Sequence, residues 1–143
     1  MSVWKTVVVG VDGSPHSHKA LAWAAAEAVD HRADLVVVNV AEHTMPPPTG
    51  SASVSERFGP DPAQRTAEDL LREIKEVLGE DPPVPVQPRI KQGVAAKVLI
   101  ELSSDADLLV VGTRGHGGFR GLVLGSVSQH VSAYAQCPVT VVR

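Results

Sequence analysis

The sequence predicts an α/β fold in which a parallel sheet is covered by helices on both faces. Three observations carry this: short β-branched runs without the strict alternation of a one-sided strand, segments of helical period between them, and turn or cap residues at the joins. The runs are Lys5–Val11 (KTVVVGV), Asp34–Val40 (DLVVVNV), Leu108–Gly112 (LLVVG) and Pro138–Arg143 (PVTVVR). A fifth, Val84–Lys91 (VPVQPRIK), carries Pro85 and Pro88, which remove ladder donors and place it toward a sheet edge.

Four helical segments alternate with these strands. Their apolar residues recur every three or four positions: Leu21, Ala24, Ala25, Ala28 and Val29; Ala67, Leu70, Leu71, Ile74, Val77 and Leu78; Ala95, Val98, Leu99 and Leu102; Val127, Val131, Tyr134 and Ala135. Ser14 before Pro15 and Asp61 before Pro62 read as helix starts. Ser126 with Gln129 three residues later reads as a capping box. Right-handed crossovers in such a fold place ligands at the carboxyl ends of strands, near the switch in strand order. The loops after the first and fourth strands are therefore the candidate site.

The 143 residues suit one domain, 1–143, and no internal repeat is visible. Only Trp4, Trp23, Phe58, Phe119 and Tyr134 are aromatic, so the core must be Val, Leu, Ile and Ala. A net charge of −3 gives no general basic field, which argues against nucleic acid or an anionic membrane as partner. The lone Cys137 can form neither an internal disulfide nor a multi-thiolate zinc site and reads as a small buried hydrophobe. A reducing, cytoplasmic compartment is expected. The N-terminus shows no signal-peptide pattern, and no run approaches the ~18 apolar residues of a membrane span. The long connection Ala41–Pro62, with Pro46, Pro47, Pro48 and Gly50, reads as a lid, a partner arm or a disordered surface loop.

The sequence has no Walker phosphate loop and no Gly-x-Gly-x-x-Gly after a strand. It has no Gly-x-Ser-x-Gly elbow, His-Glu-x-x-His or Cys/His ligand spacing. What stands out is Gly112-x2-Gly115-x9-Gly125-Ser126, from the end of the fourth strand to the start of the fourth helix. Glycines let backbone N–H groups approach an anion, and a helix N-terminus adds donors and a positive dipole end. Arg114, His116 and Arg120 add positive charge to this loop, and Ser128 lies one residue beyond Val127. Glycines also serve chains that merely turn, with Ser126 an ordinary cap and the arginines solvated. Asp12, at the end of the first strand, would face the same crevice, where a carboxylate suits a ribose hydroxyl or a Mg²⁺ bridging phosphates. Asp12-Gly13 is equally a common turn dipeptide.

On VVVGVDGSPHS, LVVVNV, LLVVGTRGHGGFRGLVLGSVSQHV and CPVTVVR the sequence resembles the universal stress protein family across nearly its whole length. The complete glycine spacing resembles the ATP-binding branch. The resemblance implies a single-domain, open, five-stranded parallel sheet of order 3-2-1-4-5, Rossmann-like and similar to the adenine nucleotide alpha hydrolase fold, commonly dimeric. It implies Asp12 as the ribose- or metal-side acid, Val40 as the residue whose backbone meets adenine, and Gly112, Gly115, Gly125, Ser126 and Val127 around ribose and phosphates. Arg114, His116 and Ser128 join this set on charge and proximity.

The expected function is thus a nucleotide-dependent regulatory module for the stress response that holds ATP, with Mg²⁺ through Asp12. Alternatives are a slow ATPase or phosphotransferase, and a nucleotide-free dimerisation or chaperone-like module. No residues supply an evident base, nucleophile and charge stabiliser together, so no catalytic residue is assigned; His16, His18 and His116 are near the crevice only by chain position. A homodimer paired through strand 138–143 is expected, because that strand lies at a sheet edge.

Overall fold

The structure is a computed structural model, and it describes residues 3–41, 67–113 and 125–143. Five strands form one sheet: β1 (Thr6–Gly10), β2 (Asp34–Ala41), β3 (Val86–Gln92), β4 (Leu108–Gly112) and β5 (Val139–Val142). Their order is β3-β2-β1-β4-β5, and every neighbouring pair is parallel. Among the described residues four helices alternate with them: α1 (Pro15–His31), α2 (Ala67–Leu78), α3 (Ala95–Ser103) and α4 (Ser126–Tyr134). The α/β architecture expected from the sequence and the strand order implied by the family resemblance are those observed. Strand ends differ from the sequence reading by one or two residues: β1 and β5 pair over less than their apolar runs, while β2 and β3 pair one residue further, to Ala41 and Gln92.

Side chains alternate across the sheet, so one β-branched run feeds two cores. Val7, Val9, Leu35, Val37, Leu108 and Val110 pack beneath α1 and α2 with Leu21, Leu70 and Ile74. Val8, Val36, Val38, Leu109 and Val111 pack on the opposite face with Leu99 of α3 and Val131 of α4. This is why the central strands read as continuous Val and Leu: β1, β2 and β4 are covered on both sides.

Both edges carry their own chemistry. In β3 the bond from Leu35 N–H to the Pro85 carbonyl, with the register Leu35↔Val86, turns the polar backbone groups of odd-numbered residues toward β2. Pro88 therefore faces its missing donor outward, which is how the strand tolerates it. In β5, Leu109 N–H donates to the Pro138 carbonyl and Thr113 N–H to that of Val142, so Val139 and Val141 turn theirs to the open edge.

The Ser14 cap is as expected: Ser14 is extended and its hydroxyl accepts from Ser17 N–H at 3.3 Å, with Pro15 opening α1. The capping box at Ser126 is not. Gln129 N–H bonds to the Gly125 carbonyl at 3.0 Å, so Gly125 is the N-cap, Ser126 is already helical, and no side chain caps the helix. Ala41 ends β2 rather than beginning a loop; the rest of the Ala41–Pro62 connection, with the Asp61-Pro62 start signal, lies outside the described residues.

Candidate functional site

The strand order reverses between β1, which leads to β2, and β4, and the chain leaves both at their carboxyl ends. Register sets the levels: Gly10 pairs with Val38 and Val9 with Val110, so extending the ladder brings Asp12 level with Val40 on one side and Thr113 on the other. Three of the expected site segments thus converge at one end of the sheet.

The loop after β1 is held by side chains. Val11 N–H still donates to the Val38 carbonyl at 2.9 Å, and the buried Asn39 amide donates to the Val11 carbonyl at 2.9 Å. Beyond that anchor Gly13 adopts φ 86°, where a β-carbon is disfavoured, and the Asp12 carboxylate accepts Ser14 N–H at 2.9 Å. Asp12 therefore forms the turn that follows β1.

On the other side, Thr113 follows Gly112 and is buried. Its N–H donates to Val142 and its carbonyl accepts Gly125 N–H at 2.6 Å. That bond closes the base of the glycine-spaced loop and seats the start of α4 against the end of β4. Ser128 is buried, and its single hydroxyl proton has two acceptors, the Gly125 carbonyl at 3.0 Å and the Thr113 carbonyl at 3.3 Å. Its side chain thus braces the loop's base from inside. The N–H groups of Ser126, Val127 and Ser128 precede the first intrahelical bond of α4, the arrangement that favours an anion.

Gly112 sits where a β-carbon would approach His16 of α1, so β4 and α1 come into close contact there. Val40 lies one residue from the end of β2, half-buried on the α3/α4 face. Arg114 and Gly115, with His116 and Arg120, lie outside the described residues. Asn39 and Thr113 were missed by sequence reasoning. A polar residue inside the apolar run VVVNV was a legible signal for Asn39, whereas Thr113 had none, because its part is played by its backbone.

Among the described residues no group of three or more His, Cys, Asp or Glu side chains could hold a metal. No helix among them is long and apolar enough to cross a membrane. Burial, and secondarily the Asp107 carboxylate, push the half-buried Cys137 thiol above its ordinary value.

Comparison with known proteins converges on one family. Residues 4–143 match the profile of the universal stress protein family. A universal stress protein of Thermus aquaticus is 37% identical over 147 residues, covering 99% of this chain and 100% of that one. One from Mycobacterium tuberculosis is 34% identical over 140 residues, covering 97% of this chain; this chain spans about half the length of that and similar mycobacterial relatives, 48% in that case. Among solved structures, the universal stress protein UspA from Lactobacillus plantarum superposes with TM-score 0.82 at 22% identity over all of both chains. A universal stress protein in complex with cAMP superposes with TM-score 0.68 at 27% identity, covering 99% of this chain and 98% of that one. With a family profile spanning nearly every residue and the sheet order to match, this chain belongs to the universal stress protein family.

Proposed function

We propose that the chain binds an adenine nucleotide, ATP with Mg²⁺, where the carboxyl ends of β1, β2 and β4 meet, and acts as a cytoplasmic, homodimeric, nucleotide-dependent regulatory module in stress response. One observation supports the reading: the 2.6 Å bond from Gly125 N–H to the Thr113 carbonyl, which ties the start of α4 to the residue after β4, level in register with Asp12. Backbone donors on one side and a carboxylate on the other suit a phosphate chain and a ribose. A Mg²⁺ held mostly by phosphates needs only one or two protein carboxylates, and Asp12 supplies one. The cAMP complex of the 27%-identical relative supports an adenine nucleotide as the ligand class. Val40, Gly112, Gly125, Ser126, Val127 and Ser128 would surround the nucleotide, with Arg114 and Gly115 completing the loop.

Calorimetric titration of two variants with MgATP tests this. Asp12→Asn keeps an oxygen to accept Ser14 N–H, so the turn survives while the charge is lost; affinity should fall about 10- to 100-fold, the worth of a hydrogen bond to a charged group. Gly125 has φ −75° and ψ 170°, which any residue adopts, so Gly125→Val should fold and fail to bind. Wild-type affinity in both variants would overturn the site.

A further inference from the structure

Glu73 of α2 is a carboxylate at 3% exposure, between the buried apolar residues Leu70 and Ile74. Burying a carboxylate costs several kcal/mol before its partners compensate, and an apolar side chain would join two helices with less penalty. Its Oε1 lies 3.3 Å from the Ser17 hydroxyl and 3.2 Å from Nε2 of His18, both on α1. Ser17 is also a link toward the Asp12 turn. Its hydroxyl reaches the Ser14 carbonyl at 3.0 Å, its N–H donates to the Ser14 hydroxyl, and Ser14 N–H donates to Asp12.

A serine hydroxyl has one proton to give, and Ser17 faces two acceptors for it. The contact to Ser14 is the shorter, and 3.3 Å to Glu73 is long for an O–H donor. Donated to Ser14, the proton braces the first turn of α1; donated to Glu73, it ties α2 to α1. The Ser14 carbonyl already accepts His18 N–H at 3.1 Å, so it can release Ser17 and remain bonded.

We infer that the Ser17 hydroxyl is a two-position coupler through which occupancy of the Asp12 turn tightens the docking of α2 by Glu73. The inference rests on the nucleotide reading of that turn and goes beyond it, by naming the element that reports the ligand. A ligand that engages the Asp12 carboxylate competes with Ser14 N–H for it and relaxes the first turn of α1. The Ser17 hydroxyl then turns its hydrogen bond from the Ser14 carbonyl to Glu73, and α2 is held more firmly. Leu71, exposed on α2, and the face around it become the surface whose stability depends on nucleotide.

Amide hydrogen exchange of residues 67–78, with and without MgATP, tests the coupling, with calorimetry run beside it to score binding separately. In wild type MgATP should slow exchange of α2 by about fivefold or more, the lower range of coupling between sites. Ser17→Ala, which removes one oxygen, should still bind MgATP yet lose this difference, and Glu73→Gln should lose most of it. A purely structural role would speed α2 exchange by the same factor with and without nucleotide in both variants, and that result overturns the coupler. Wild-type protein that binds MgATP with no change in α2 overturns it while leaving the site reading intact. Failure to bind MgATP removes both.

Discussion

Gly112 and His16 stand so close that a β-carbon on Gly112 would lie 3.1 Å from the His16 carbonyl oxygen and 3.2 Å from its carbonyl carbon. The obstruction is backbone within a helical turn, which cannot rotate away as a side chain can. A side chain at Gly112 would therefore crowd the point where β4 meets α1, whether or not a ligand is bound. Gly112→Ala should destabilise the fold by about 1–3 kcal/mol, as overpacking does, read from the midpoint of chemical denaturation. Gly10→Ala is the comparison: its β-carbon would meet Leu99 Cδ1 at 3.0 Å, a flexible methyl, and should cost less. Equal midpoints for Gly112→Ala and wild type would show that α1 gives way freely.

The same glycine shows what the sequence could and could not convey. Its place in the Gly-x2-Gly-x9-Gly-Ser spacing was legible as part of a candidate site. Its packing against His16 was not, because that neighbour is distant in sequence. The central strands β1, β2 and β4 were legible because they are short β-branched runs bounded by turn residues, and Pro88 marked the β3 edge. The start of α4 differs from the capping pattern of Ser126 and Gln129 by one residue, because the first helical bond runs from Gln129 N–H to the Gly125 carbonyl. Glu73 lay on an amphipathic helix where a charged residue reads as solvated, and only the packing of α2 on α1 shows it buried.

Arg32 ends α1 at φ 53° and ψ 40°, while Ala33 N–H closes back to the Ala28 carbonyl at 2.9 Å. This left-handed position favours glycine, and a β-carbon there costs about 1–2 kcal/mol. Arg32→Gly relieves that strain but frees the unfolded chain, so a net gain of roughly 0.5–1 kcal/mol is expected in thermal unfolding. A lower melting temperature would show that the arginine side chain contributes more than its backbone strain removes.

The Cys137 thiol is raised by burial and then by Asp107. Because its folded value lies above its unfolded one, its contribution to stability is whole below the ordinary value of 9.0 and is lost as pH rises through the folded value. The same shift keeps it protonated and unreactive near neutrality. Alkylation by iodoacetamide at pH 8 should be several-fold slower in the native protein than in urea. Equal rates would contradict this assignment.

Val141 turns its N–H to the open edge of β5, so Val141→Pro removes an outward donor without touching the ladder to β4. A homodimer paired along this edge should shift toward monomer in sedimentation while the variant remains folded. Pro88 already blunts the β3 edge, leaving β5 the better template for a second copy. A variant that stays dimeric and folded would exclude this interface.

Equilibrium titration of the wild-type chain with MgATP tests the central claim most directly. The arrangement of Asp12, Thr113 and Gly125 predicts saturable binding of about one nucleotide per chain, in line with an ordinary small-molecule site. No uptake at about 1 mM MgATP, where binding would be worth only about 4 kcal/mol, would contradict it.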